Sequence, residues 1–145
     1  MGCCSKSIDL ASLFAALADT TRLRLLNLMA GREVCVCHFV EILGQSQPKI
    51  SRHLAYLRNA GIVAARREGK WMNYSICFPA DPSAASVFPA VLSSLRNDGQ
   101  MQADLAKLDR ACCAPQKRVV PEGAPRPALI ASVPESWIQT GARAV

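Results

Sequence analysis

The sequence predicts a mainly α-helical domain with a small β-hairpin, in the order α-α-α-α-β-β-α-α. Apolar residues recur at the spacing of amphipathic helices through most of the chain up to residue 112. Two helical segments meet at Gly44, and two β-prone segments, 62–67 and 71–78, meet at Glu68-Gly69-Lys70. These patterns are typical of a winged helix-turn-helix domain.

The first two helices supply much of the predicted core. Residues 8–18 carry an apolar stripe that runs from Leu10 to Leu17. Asp19-Thr20-Thr21 offers N-cap side chains for a second helix, and this helix is apolar on almost all sides up to Gly31. We therefore expect the second helix to be buried.

The next two helices form the predicted helix-turn-helix unit. A short helix at 36–43 ends at Gly44, and Ser46 is the expected N-cap of a helix at 47–59, with Pro48 in its first turn. In such units the second helix enters the DNA major groove.

The second helix of this unit has a polar, basic outward face. Ile50, Leu54 and Leu57 share its apolar side, so its other side chains are directed away from the core. The outward residues are Lys49, Ser51, Arg52, Tyr56 and Asn59. By contrast, His53 lies nearer the apolar side, which favours packing or a hydrogen bond over contact with a base.

Positive charge is concentrated around this helix and the hairpin. The net charge is +6, and residues 44–80 hold six basic residues against the single acid Glu68. Arg66, Arg67 and Lys70 lie at the hairpin tip, where they suit contacts to phosphate. A polyanionic partner such as double-stranded DNA is therefore expected.

Two further helices, at 88–97 and 101–111, are expected to pack against the first helix. Repeated prolines after Ala114 predict a flexible tail. The predicted organisation is a flexible segment at 1–7, a DNA-binding and dimerisation domain at 8–113, and a tail at 114–145.

Composition favours a cytoplasmic protein without a membrane span. The seven cysteines are an odd number, and no apolar signal-peptide core follows the first residues, so reduced thiols are expected. No run approaches the roughly 18 apolar residues that a span needs. Gly2, Cys3 and Cys4 resemble an acylation signal, but Lys6 stands where that signal needs serine or threonine.

The order of elements and three strings resemble the ArsR/SmtB family of metal-sensing repressors. The strings are ALADTTRLRLLNLM at 16–29, EVCVCHFVEILGQSQPKISRHLAYLRNAGIV at 33–63 and RREGKWMNYSI at 66–76. The resemblance implies a homodimer built from the first and last helices. It also implies an imperfect inverted repeat of double-stranded operator DNA as partner, bound without a cofactor.

The resemblance also assigns DNA contacts. Gln47, Lys49, Ser51 and Arg52 occupy positions at which the family reads DNA, and Tyr56 lies on the same outward face. The basic residues of the wing occupy positions at which the family contacts the DNA backbone; these are Arg66, Arg67 and Lys70.

Cys35 and Cys37 stand where family members carry ligands for arsenic, antimony, cadmium or lead. Thiolates are soft donors and select soft ions. The arsenic-sensing branch is the most similar, so trivalent arsenic or antimony is the expected inducer, with cadmium or lead as the alternative. Residues i and i+2 of a regular helix point about 200° apart, so we expect binding to unwind the helix start and move the recognition helix.

The third ligand is left open by the sequence. The arsenic-sensing branch often has a further cysteine where this chain has Val40. The candidates are Cys3 and Cys4 near the start and Cys112 and Cys113 after the last predicted helix. We favour the second pair for arsenic.

Other potential ligands have weaker support. Residues 83–112 contain no histidine, which argues against the zinc and nickel site of the family. His38 is at most an outer partner of the cysteine pair, and Cys77 is expected to be structural.

Two alternatives remain. A cysteine-based redox enzyme is the alternative of a different class, but no CxxC precedes a βαβ unit and no phosphate loop is found. A thiol-redox sensor of the same fold would instead respond by disulfide or persulfide formation. The prediction is a repressor without enzymatic activity.

Overall fold

The computed structural model describes residues 7–113, and this part of the chain contains six helices and three short strands. The elements are α1 (Leu10–Leu17), α2 (Thr20–Met29), β1 (Val34–Cys35), α3 (Val36–Leu43), α4 (Gln47–Asn59), β2 (Val63–Glu68), β3 (Trp71–Ile76), α5 (Pro82–Leu95) and α6 (Gly99–Cys113). The predicted flexible tail, 114–145, and nearly all of the predicted flexible start lie outside the described residues.

The start of each of the first two helices is fixed by an aspartate. Asp9 Oδ1 accepts a hydrogen bond from the Ser12 amide at 2.6 Å, and Asp19 Oδ1 accepts one from the Arg22 amide at 2.9 Å. The bonds from Ser12 lower the pKa of Asp9 below its usual value. Both aspartates satisfy amides that the helix itself leaves without partners.

The predicted bounds of α3 and α4 are confirmed. Gly44 adopts the left-handed conformation at φ 64°, and its amide donates to the Val40 carbonyl at 3.0 Å. Glycine adopts this conformation without steric cost, which explains why α3 ends there. Ser46 is the N-cap residue of α4, but its side chain makes no capping hydrogen bond. Ser46 is therefore the N-cap by position, as predicted, and not through a side-chain bond.

The wing is the β2–β3 hairpin, and β1 pairs with it to form a three-stranded antiparallel sheet with the order β1-β3-β2. Strands β2 and β3 pair from Val63 opposite Ile76 to Glu68 opposite Trp71, which confirms the predicted hairpin. Gly69 has φ 59°, as a tight hairpin turn requires. Strand β1, whose two residues pair with Tyr74 and Asn73 of β3, was not predicted from the sequence.

The predicted start of α5 is wrong. The helix begins at Pro82, where Asp81 Oδ1 accepts a hydrogen bond from the Ala84 amide at 3.0 Å. Pro89 therefore lies inside the helix, not in its first turn. An aspartate cap followed directly by proline is a stronger start signal than an isolated proline.

Helix α6 is longer than predicted and packs elsewhere. It extends to Cys113, so Cys112 and Cys113 belong to its last turn and do not follow the helix. It lies mainly against α2 and α3, whereas α5 packs against α1 and α2. Only one of the two late helices therefore has the expected packing against α1.

A buried ion pair fastens α6 to α2. The Arg24 guanidinium donates to both carboxylate oxygens of Asp104, at 2.6 and 2.9 Å, and the Asp104 side chain is fully buried. The hydrogen bond to Asp104 raises the pKa of Arg24. Asn27, also buried, donates to the Met101 carbonyl at 3.0 Å. These polar contacts fix where α6 lies on the domain.

The core is apolar and continuous between the helices and the sheet. Its largest fully buried side chains come from all six helices and the residue preceding β2. They are Leu13, Leu25, Leu26, Leu28, Met29, Phe39, Ile50, Leu54, Leu57, Ile62, Phe88 and Leu108. The predicted burial of α2 is confirmed for its second half.

Each helix between residues 7 and 113 is too short or too polar to cross a lipid bilayer.

We predict that Asp104→Ala lowers the free energy of unfolding by about 3 kcal/mol, because it leaves Arg24 without its buried partner. Asp109→Ala is the matched control, since Asp109 pairs with Arg32 at 2.9 Å on the surface and has the same charge. The control should cost less than about 1 kcal/mol. Urea unfolding followed by circular dichroism measures both values, and equal losses would contradict the assignment.

Candidate functional site

The outward face of α4 is arranged as the sequence predicted. Ile50, Leu54 and Leu57 are fully buried, and this fixes the rotation of the helix about its axis. The opposite side is exposed except for Ser51, which is partly buried. We use the name reading face for this set: Gln47, Lys49, Ser51, Arg52 and Tyr56.

The first turn of α2 holds the helix-turn-helix unit in place. Gln45, in the turn between α3 and α4, donates to the Thr21 hydroxyl at 3.4 Å. His53 Nδ1 lies 3.6 Å from Asp19 Oδ1, which agrees with the expectation that His53 faces the domain. These partners could not be predicted from the sequence, because neighbours in different helices leave no periodic signal.

Of the three basic residues of the wing, one is held by carboxylates. Arg66 donates to Glu33 at 2.9 Å and to Glu68 at 3.2 Å, and the bond to Glu33 raises the pKa of Arg66 most. Arg67 donates to the Gly69 carbonyl at 3.1 Å, and Lys70 is exposed. The charge of Arg66 is therefore paired with two carboxylates of the same domain.

Cys35 and Cys37 form a thiol pair whose sulfur atoms are 2.9 Å apart. Cys35 is the last residue of β1 and the N-cap of α3, with extended backbone angles of −72° and 145°. The prediction that the two side chains point in opposed directions from one helix is therefore wrong, because only Cys37 lies within the helix. The two sulfurs converge without unwinding of α3.

The surroundings of the thiol pair are largely buried. Cys35 is 3% exposed, Cys37 is partly exposed, and His38 beside them is buried. Burial raises the pKa of Tyr74 on β3, while Arg58 lowers it and Cys35 raises it further. The N-terminal end of α3 favours negative charge, which suits a thiolate at this position.

The structure leaves the third ligand unassigned. In the described part of the chain, no three His, Cys, Asp or Glu residues form a group that could hold a metal ion. Cys112 is partly buried and packs against the core. Cys3, Cys4 and the side chain of Cys113 lie outside what the structure describes.

Val40 and Cys77 both lie in positions that serve the fold. Val40 is partly buried against the core, as an apolar residue should be. Cys77 follows β3, and its amide donates to the Ile62 carbonyl at 2.9 Å.

The thiol pair is joined to the wing by pairing and by hydrogen bonds. Cys35 lies opposite the buried Asn73 in the β1–β3 register. Asn73 donates to Glu68 at 3.2 Å, and Glu68 also accepts from Arg66. Glu33 and Asn73 were not recognised from the sequence, because their roles depend on the short strand β1.

Comparison with known proteins identifies the family. Residues 19–65, which contain the reading face and the thiol pair, match the model of the bacterial regulatory protein arsR family. An HTH-type transcriptional regulator of Methanocaldococcus jannaschii is 48% identical over 67 residues, covering 46% of this chain and 75% of that protein. The chain belongs to the arsR family. Because this is a family of regulatory proteins, the assignment favours a regulator over the redox-enzyme alternative.

Two further relatives and a solved structure are similar to this chain. The arsenical resistance operon repressor of Escherichia coli is 51% identical over 65 residues, 44% of this chain and 56% of that protein. The chain thus spans about half the length of that relative. A cadmium resistance regulatory protein homologue of Staphylococcus aureus is 39% identical over 70 residues, 48% of this chain and 58% of that protein. Reduced HlyU of Vibrio cholerae has a TM-score of 0.50 at 27% identity, covering 59% of this chain and 83% of that one.

Proposed function

We propose that this arsR-family chain is a metalloid-responsive transcriptional repressor. In this proposal a homodimer binds operator DNA and is released when Cys35 and Cys37 bind trivalent arsenic or antimony. The observation that carries the proposal is the thiol pair, 2.9 Å between sulfurs, at the first helix of the helix-turn-helix unit. Cytoplasmic location remains part of the proposal.

DNA binding is supported by the reading face and by the free end of the wing. The reading face is exposed apart from Ser51 and carries two positive charges, Lys49 and Arg52, on one helix. The reading face would contact base edges in the major groove, and Arg67 and Lys70 would contact phosphates. Arg66, held by Glu33 and Glu68, would set the shape of the wing instead.

We predict that Arg52→Ala weakens binding to operator DNA by about 1–3 kcal/mol, because a base contact is lost. Lys70→Ala should weaken binding to all DNA alike and reduce the dependence of affinity on salt. Binding measured across a salt series, with operator and scrambled duplexes, separates the two effects. Wild-type affinity in both variants would refute the assignment of these surfaces.

The proposed dimer is supported by exposed apolar residues on α1. Phe14 is 52% exposed and Leu10 is 37% exposed, although both belong to the apolar stripe of the helix. In a two-fold dimer, recognition helices meet half-sites of an inverted repeat about 34–36 Å apart.

We predict that the full chain sediments as a dimer at micromolar concentration and that Phe14→Asp shifts it to monomer, since a buried unpaired charge opposes association. Leu95→Asp is the comparison variant. It introduces the same charge at a partly exposed apolar residue that lies on the last turn of α5, outside α1. A wild-type monomer that binds the operator as a single copy would contradict the dimer.

The thiol pair fits a soft, thiophilic centre. Both donors are sulfur, and they converge within a largely buried setting that excludes much of the competing water. When bound, such a centre supplies covalent bonds to both sulfurs. The name of the Escherichia coli relative supports arsenic as the inducer. Cadmium or lead is the alternative, and the name of the Staphylococcus aureus relative supports cadmium.

Release of DNA would pass through the wing as well as through α3. Cys35 belongs to β1, so a change in its position alters the pairing with Asn73. Asn73 and Arg66 both donate to Glu68, and Arg66 is tied back to Glu33 beside β1. A rearrangement at the sulfurs would therefore change the wing that holds the DNA backbone.

We predict that a chain with Cys35→Ser and Cys37→Ser binds operator DNA normally but is not released by arsenite, because hydroxyl oxygens are poor ligands for soft centres. Release of a labelled operator is titrated with arsenite and, in parallel, with cadmium and hydrogen peroxide. Wild-type release by arsenite from the double variant would place the sensor elsewhere. Release by peroxide alone from the unmodified chain would favour the thiol-redox sensor.

The same titration identifies the third ligand and tests the route. Replacing Cys3 and Cys4, or Cys112 and Cys113, by serine weakens the response only for the pair that contributes a sulfur; we favour the second pair.

Glu33→Gln should raise the arsenite concentration needed for release, whereas Glu41→Gln, exposed on α3, should not. Equal responses of these two variants to arsenite would show that release of DNA does not depend on the contact between Glu33 and the wing.

A further inference from the structure

Arg22, at the start of α2, contacts two other helices at once. Its Nε donates to the Ala16 carbonyl at 2.6 Å and its Nη2 donates to the Ala15 carbonyl at 2.9 Å. Its guanidinium carbon lies 4.3 Å from the centre of the Tyr56 ring. Arg22 therefore lies between the end of α1 and the reading face.

On the α1 side, Arg22 supplies what the helix end lacks. The last carbonyls of a helix have no partner within it, and the last turn of α1 contains no basic residue. The two hydrogen bonds hold the planar guanidinium in one orientation relative to α1. Lysine could not replace them, because its single ammonium group cannot donate along two fixed directions and also stack on a ring.

On the α4 side, Arg22 covers one face of an exposed aromatic ring. Tyr56 is 45% exposed, and an exposed side chain on a helix surface would otherwise sample several rotamers. A cation over the ring face restricts that motion. The ring is thus held by a residue outside the helix-turn-helix unit.

We propose that Arg22 is a positioning residue for operator recognition, setting the place of Tyr56 and of the reading face relative to α1. The inference rests on the proposed function, since it concerns how the operator is read. Asp19 and Thr21, from the same turn of α2, contact His53 and Gln45 and support the same register. Because α1 also carries the exposed Phe14, Arg22 links the proposed two-fold axis to the reading face.

The test uses the full chain and two duplexes. One duplex is selected by the wild-type chain from a pool of random sequences, and the other is a scrambled version of it. Arg22→Lys keeps the charge and should lower affinity for the selected duplex about fivefold, while affinity for the scrambled duplex stays within about twofold. Arg32→Lys is the matched control, since Arg32 is also paired but contacts Asp109 on α6. It should leave both affinities unchanged.

A double-mutant cycle makes the assignment specific. In a Tyr56→Leu chain, Arg22→Lys should cause no further loss of selected-duplex affinity, because the ring it positions is gone. In a Tyr56→Phe chain the ring remains, so the fivefold loss should persist. Losses that add fully in the Tyr56→Leu chain would overturn the proposal.

Two further outcomes are separated by design. If Arg22→Lys fails to fold by circular dichroism, the comparison of Tyr56→Phe with Tyr56→Leu decides. Retained selectivity in the phenylalanine chain and reduced selectivity in the leucine chain support the proposal, and equal selectivity in both overturns it. A wild-type chain that selects no preferred duplex would refute the proposed function itself. If the wild-type chain selects a duplex and the Arg22→Lys chain binds both duplexes as tightly as the Arg32→Lys chain does, only the role of Arg22 is refuted.

Discussion

The burial of one face of α4 is the constraint on which the rest of the domain depends. Ile50, Leu54 and Leu57 leave no accessible surface, so the helix can take only one rotation about its axis. That rotation directs the reading face outward and brings Tyr56 beneath Arg22 and His53 toward Asp19. Hydrophobic burial thus determines which polar side chains are available to a partner.

Local signals made much of the fold predictable. The helix pair around Gly44 was placed correctly because a left-handed glycine marks the end of α3. The predicted start of α5 relied on Pro89, whereas the stronger start signal is Asp81 followed by Pro82. Strand β1 was missed because two residues are too few to show an alternating pattern, and its partner β3 is distant in the chain.

The sequence predicts which residues could form the candidate site, but not how they are arranged. Cys35 and Cys37 are predicted ligands, and their convergence depends on Cys35 being extended and Cys37 helical. Arg66 is predicted to contact phosphate from its charge and position, and the structure adds that its guanidinium donates to Glu33 and Glu68. The first depends on the short strand β1, which has no pattern of its own, and the second depends on Glu33, a distant residue whose contact cannot be inferred from one sequence.

The shortness of β1 has a consequence for the dynamics of this region. A strand of two residues at the edge of a sheet is held by few backbone hydrogen bonds, so we expect it to open locally at a lower free energy than global unfolding. Amide hydrogens near Cys35 should accordingly exchange with solvent through local opening, while those of α4 exchange only through larger fluctuations. A ligand that binds the two sulfurs better when β1 is detached needs only a modest difference in affinity to shift this equilibrium.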